Sequence, residues 1–151
     1  MHKWIAPLAL LAFTTSLLAQ SPFAGTWKLD TAKTKYSSGQ PPKDVTLVIE
    51  EQGDNLQVTA TGTNADGSPL SLKYTVPLKG GEGHLESNAY DSISTKMVSP
   101  TVRVNTYRKA GKVVTTRRIV VSKDGKTMTS TVKGLNLAGQ TVTGTDVFDK
   151  Q

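Results

Sequence analysis

The chain has 151 residues, 36% hydrophobic and 20% charged, with a formal net charge of +6. That length holds one ordinary domain rather than two, and the composition excludes a disordered chain. With no cysteine, a disulfide framework and a cysteine-linked lipid anchor are excluded.

Met1-His2-Lys3 gives a positive start, and Trp4 to Ala19 is then apolar or small throughout, without charge. The pattern predicts a signal peptide over 1–19, cut after Ala19, and a secreted or periplasmic domain over 20–151. A retained N-terminal anchor is the alternative. Loss of Lys3 leaves a charge of +5, and the basic residues are scattered with no run of five. They read as a solvated outer face, so neither a nucleic-acid partner nor an integral membrane segment in the mature chain is expected. Without disulfides the domain must hold by core burial, which is feasible at roughly 130 residues.

Beyond Gln20, threonine, valine and alternating polar–apolar runs dominate, punctuated by glycine turns. Gly25–Leu29 is the first predicted strand. Asp30–Lys43 reads as irregular, with Asp30 placed to cap one short helical turn. Val45–Glu51, Leu56–Thr61 and Leu70–Leu78 alternate as strands, joined at Gly53-Asp54 and Asn64–Gly67. Gly80–Gly83 reads as a mobile loop. Ser92–Ser99 is a weaker strand, and Thr101–Arg108 and Val113–Val121 form a hairpin through Ala110-Gly111. Thr127–Lys133 and Thr141–Phe148 follow after Asp124-Gly125 and Leu137–Gly139. Short connections favour antiparallel neighbours. The fold expected is all-β: a single antiparallel up-and-down β-barrel of about 8–10 strands with little or no helix, because closure removes the exposed edges of a long meander.

Val48–Val76 aligns without gaps on Val120–Phe148, so that Gly53, Gly62, Asn64 and Gly67 fall on Gly125, Gly134, Asn136 and Gly139, each 72 positions on (53 to 125, 62 to 134). Two similar half-barrels would produce this, as would the ordinary spacing of glycine in β-meanders.

Phe23-Ala24-Gly25-Thr26-Trp27-Lys28-Leu29 resembles the opening strand of the calycin superfamily, the lipocalins and intracellular fatty-acid-binding proteins. Gly25-x-Trp27 is similar to the lipocalin Gly-x-Trp signature. Asp124–Met128 and the terminal Val147–Lys150 are loosely similar to the closing strands, and the whole chain resembles small lipocalin-like proteins exported by bacteria. The resemblance implies a small barrel plugged by Trp27, with Gly25 and Trp27 structural. It does not extend to the fatty-acid site: Asp30–Lys43 is too short for a helix pair, and Asp146-Val147-Phe148 stands where an Arg-x-Tyr would.

His84 is the one histidine beyond the leader. Without cysteine it cannot make a zinc site of usual composition, and it reads as an exposed loop residue. The acidic residues near Gly53, Gly67 and Gly125 read as turn chemistry. No catalytic constellation, metal or cofactor is expected. Arg117-Arg118 carries more information, because neighbours on a strand point to opposite faces. Val113, Ile119 and Val121 share a face with Arg117, while a shifted register would turn Arg118 inward instead. A charge inside a small barrel requires a partner. An ion pair with Asp146 across the gap at Gly144 is one answer, and an anionic ligand group is the other. The candidate ligand contacts are therefore Arg117, Tyr74, Thr115 and Asp146. The function expected is non-enzymatic binding of a hydrophobic or amphipathic small molecule within the barrel. The alternative is a filled barrel acting on partners through loops, Gly80–Asp91 first among them.

Overall fold

The computed structural model describes residues 20–151, so the expected signal peptide, residues 1–19, lies outside the described residues. Twelve strands run in chain order: β1 (Gly25–Leu29), β2 (Lys35–Ser38), β3 (Asp44–Gln52), β4 (Asn55–Thr63), β5 (Pro69–Pro77), β6 (Gly81–Glu82), β7 (His84–Glu86), β8 (Ser92–Ser99), β9 (Val102–Lys109), β10 (Lys112–Val121), β11 (Thr127–Leu135) and β12 (Thr141–Lys150). Nine match the expected strands, and the short β2, β6 and β7 are additional. All pairings are antiparallel. β8 to β12 form one meander and β3 to β5 another. β1 joins them by pairing with both β12 and β3.

β5 and β8 face each other across a seam, and the segment 81–86 crosses it. Gly81 and Glu82 pair with Thr95 and Ser94 of β8, and then His84, Leu85 and Glu86 pair with Thr75, Tyr74 and Lys73 of β5. Gly83 donates its N–H to the Ile93 carbonyl at 2.9 Å at the changeover. This corrects the reading of Gly80–Gly83 as a mobile loop: the run is part of the wall, where two short pairings nearly close the barrel. It also takes half of Gly80–Asp91, residues 81–86, out of the loops available to a partner. His84 is exposed as expected, but on a strand.

Asp30–Lys43 differs from expectation in one respect: it carries the short strand β2. No helix occurs among the described residues. The Asp30 carboxylate accepts from the N–H of Ala32 and Lys33 and so caps a turn. Thr34, at the end of that turn, accepts the Val147 N–H at 3.1 Å and steers the chain back onto β12. β2 then continues along β12, setting Tyr36 beside Gly144.

Strand alternation sends one face of each strand into a common core of Phe23, Trp27, Leu56, Val76, Ile93, Met128 and Phe148, among others. Trp27 is fully buried, and its indole N–H donates to the Phe23 carbonyl at 2.9 Å. The Lys150 ammonium lies 5.3 Å from its ring centre. These contacts close one end of the barrel, the structural part expected of Trp27. Gly25, at φ +133°, has Lys150 packed where a side chain would begin.

The offset of 72 survives in three dimensions. β4 runs 55–63 and β11 runs 127–135, each the middle strand of its meander. Gly62 and Gly134 play one part: the Asp44 carbonyl and the Val114 carbonyl press against them where any Cβ would stand. Asn64 with Gly67, and Asn136 with Gly139, close the same turn at 3.0 Å. The two meanders differ in what they point inward. Arg117, Ser130 and Asp146 stand where the first meander has Val45, Val58 and Tyr74.

Candidate functional site

Those substitutions divide the barrel interior into two walls. β3, β4 and β5 present Val45, Leu47, Ile49, Val58, Ala60 and Leu72. β9 to β12 present Arg103, Tyr107, Arg117, Ser130 and Asp146 among the apolar Ile119, Met128 and Phe148, and Tyr74 of β5 and Tyr90, before β8, stand beside them. Between the walls lies a cavity of about 100 Å³, several times the space a single water needs. Phe23 and Arg103 line it toward the Trp27 end. Pro42 and Leu137, on connections at the other end, line it there.

The register on β10 settles which arginine enters. The pairing with β9 shifts between Val113 and Thr115, a bulge made possible by Gly134 opposite. Val113 is thereby turned outward, 55% exposed, and does not share the face of Arg117 as expected. Beyond the bulge Thr115, Arg117, Ile119 and Val121 all face inward, and Arg118 faces out. Arg117 Nη1 lies 3.0 Å from Asp146 Oδ2 and donates to the Ser130 hydroxyl at 3.1 Å. Tyr36 donates its hydroxyl to Asp146 Oδ1 at 2.9 Å. The pair does not meet across an open gap at Gly144, because the Tyr36 ring occupies that slot. Burial is the largest influence on the Arg117 cation and works against it, but Asp146, Tyr107 and Tyr36 together outweigh it and hold its pKa above the ordinary value.

Tyr74 also lines the cavity. Its hydroxyl accepts from the Asn105 amide at 3.2 Å, and its ring meets Tyr107 edge-on, with centroids 6.3 Å apart. Tyr90 stacks on the other side of Tyr107 at 4.8 Å. Burial raises the pKa of all of these phenols, and of Tyr36, where Asp146 adds to it. Thr115 does not reach the cavity. Its hydroxyl donates to the Leu135 carbonyl at 2.7 Å and accepts the Leu135 N–H at 3.0 Å. It belongs to the bulge.

Arg103 was not singled out by its sequence context. Only 3% exposed, it donates to the Pro77 and Leu78 carbonyls at 3.3 Å each and to the Thr95 hydroxyl at 3.4 Å. Its guanidinium sits 5.1 Å from the Phe23 ring centre. Burial pushes its pKa below the ordinary arginine value. On β9, Arg103, Asn105 and Tyr107 point inward while Val102 and Val104 lie half-buried on the other face. The strand is amphipathic in the reverse sense.

The structure thus defines an all-β barrel with a two-walled internal cavity. No family model matches the sequence, and no curated protein matches it. Among solved structures, a redesigned β-barrel, mFAP1, bound to DFHBI, is similar at 14% identity with a TM-score of 0.47, over 85% of this chain and 95% of that one.

Proposed function

We propose that the protein is an exported binding protein that holds a small amphipathic molecule inside the barrel. The observation that carries this reading is the cavity itself, lined by apolar side chains from both meanders, with its charged groups, Arg103, Arg117 and Asp146, all on the second. Ligand sites have this composition: mostly apolar lining with a few placed polar groups. A barrel that served only as a scaffold would be filled, as interiors normally are. The calycin resemblance of Phe23–Leu29 fits the same reading. The protein acts here as a carrier, without chemistry: Asp146 is engaged by Arg117 and Tyr36, and His84 is exposed outside the barrel.

Native mass spectrometry of protein purified from its own source tests this directly, with a co-purified small molecule as the expected result. A bare barrel whose melting temperature is also unmoved by small amphipaths overturns the reading. N-terminal sequencing of the exported protein is expected to begin at or near Gln20. An intact Met1 on exported material overturns the export part.

A further inference from the structure

We propose that Arg103 anchors the anionic group of the cavity's ligand, and that this ligand is a ring-sized organic acid carrying a second hydrogen-bonding group on the far side of the ring from its anion. The inference rests on the binding reading above and adds to it the ligand's charge and its orientation.

The first argument is charge. Three ionised side chains line the cavity: Arg103, Arg117 and Asp146. Asp146 pairs with Arg117 at 3.0 Å. Among the described residues no carboxylate comes within 4.0 Å of Arg103. The interior therefore carries one cation more than it neutralises, and an unpaired buried charge is costly. The carbonyl and hydroxyl contacts of Arg103, at 3.3–3.4 Å, are long beside charge-assisted bonds of about 2.7–2.9 Å. Its Nε has no partner at all. A ligand anion supplies what the protein withholds.

The second argument is spacing. Asn105 lies two residues along the same face of β9 and is fully buried. One end of its amide bonds the Tyr74 hydroxyl, and the other end has no partner. Residues two apart on a strand stand about 6–7 Å apart. Both orphaned buried atoms among the described side chains thus fall on one strand, on one face, one repeat apart. Of that pair Tyr74 lines the cavity, so a molecule with its anion at Arg103 and a hydroxyl or N–H at the Tyr74 hydroxyl meets the anchor and the group that Asn105 holds in place. A cavity of about 100 Å³ suits a single ring against the aliphatic wall, with the anion toward the Trp27 end.

Calorimetric titration of the full chain at neutral pH with 4-hydroxybenzoate and with 4-hydroxybenzamide, its neutral counterpart, tests the proposal. The acid is expected to bind about tenfold to hundredfold more tightly. Arg103→Met should abolish that preference by bringing the acid's affinity down to the amide's. Because Arg103→Met also removes floor packing, the arginine Nε–H resonances of the unaltered protein provide a reading without substitution: the acid should move that of Arg103. Equal affinities for acid and amide, or a preference that survives Arg103→Met, overturn the proposal while leaving the binding reading intact. Binding of neither compound overturns the proposal, and the binding reading then stands or falls on the co-purification and melting measurements above. Benzoate, which lacks the second group, is expected to bind about tenfold more weakly than 4-hydroxybenzoate. Equal affinities would remove Asn105 from the site.

Discussion

The Arg117–Asp146 pair offers the sharpest test of how the polar wall is held together, because its two members are buried unequally. The Asp146 side chain is 3% exposed and that of Arg117 is 25% exposed. Arg117→Met strands a carboxylate that water cannot reach, with only the Tyr36 hydroxyl left to it. Breaking a buried pair in this way costs about 3–5 kcal/mol. Asp146→Asn leaves a cation that can rehydrate through its exposed quarter and preserves a hydrogen-bonding group for Tyr36. Its cost is the loss of charge assistance, about 1–3 kcal/mol. The double variant removes both charges, so its cost should fall short of the sum of the singles by at least about 1 kcal/mol. Arg118→Met, on the outer face, should change stability by no more than about 0.5 kcal/mol. Urea melts followed by far-ultraviolet circular dichroism measure all four. Additive single costs, or a larger loss from Asp146→Asn than from Arg117→Met, would refute the reasoning.

Gly144→Ala should destabilise by about 1–3 kcal/mol, because the new methyl lands in the Tyr36 ring. A variant as stable as the parent in the same melts would show that Tyr36 does not occupy the slot. Trp27→Ala should cost about 3–5 kcal/mol as a fully buried large-to-small change, and a loss below about 1 kcal/mol contradicts the plug. All four tyrosines have pKa values raised by burial. In the unfolded chain each loses its proton near about 10, so above that pH the native state binds more protons. Stability is therefore complete below pH 10 and falls above it, by up to about 1.4 kcal/mol per pH unit for each tyrosine. Phenolate absorbance should stay low until the fold gives way and then rise in one step. A gradual rise at ordinary tyrosine pH in folded protein contradicts this.

Long alternating strands were legible from residue order because one face of each is mainly apolar, as in Leu70, Leu72, Tyr74 and Val76 of β5. The same logic favoured Arg117 over Arg118 on the inner face without deciding between them, and put Asp146 inside if Leu137–Gly139 is a three-residue turn. It could not show that a bulge turns Val113 outward, because the bulge depends on Gly134, on another strand, admitting the Val114 carbonyl. Short strands were missed where their pairing is wholly non-local. β2 has no apolar alternation and exists because β12 offers it an edge, and Tyr36 was lost with it. β6 and β7 are glycine-rich and polar, and become strands only where β5 and β8 leave a seam to bridge. Arg103 and Asn105 were hidden for a different reason. On β9 the valines face outward, so a reading that sends apolar residues inward assigns the wrong face. A strand that reverses the usual pattern is where polar groups have been directed into the interior, and here that strand carries the proposed anchor.

The central claim is that a small amphipath enters the barrel rather than adhering to its surface. Methyl-resolved NMR of the full chain titrated with 4-hydroxybenzamide tests it most directly, because this neutral probe carries no anion for Arg103 to select. The resonances of Val58, Ile119 and Met128, which line the cavity, should shift together and saturate, while those of the exposed Val48, Val98 and Val113 stay in place. Shifts confined to the exposed valines, or none at any concentration the probe allows, would contradict an internal binding site.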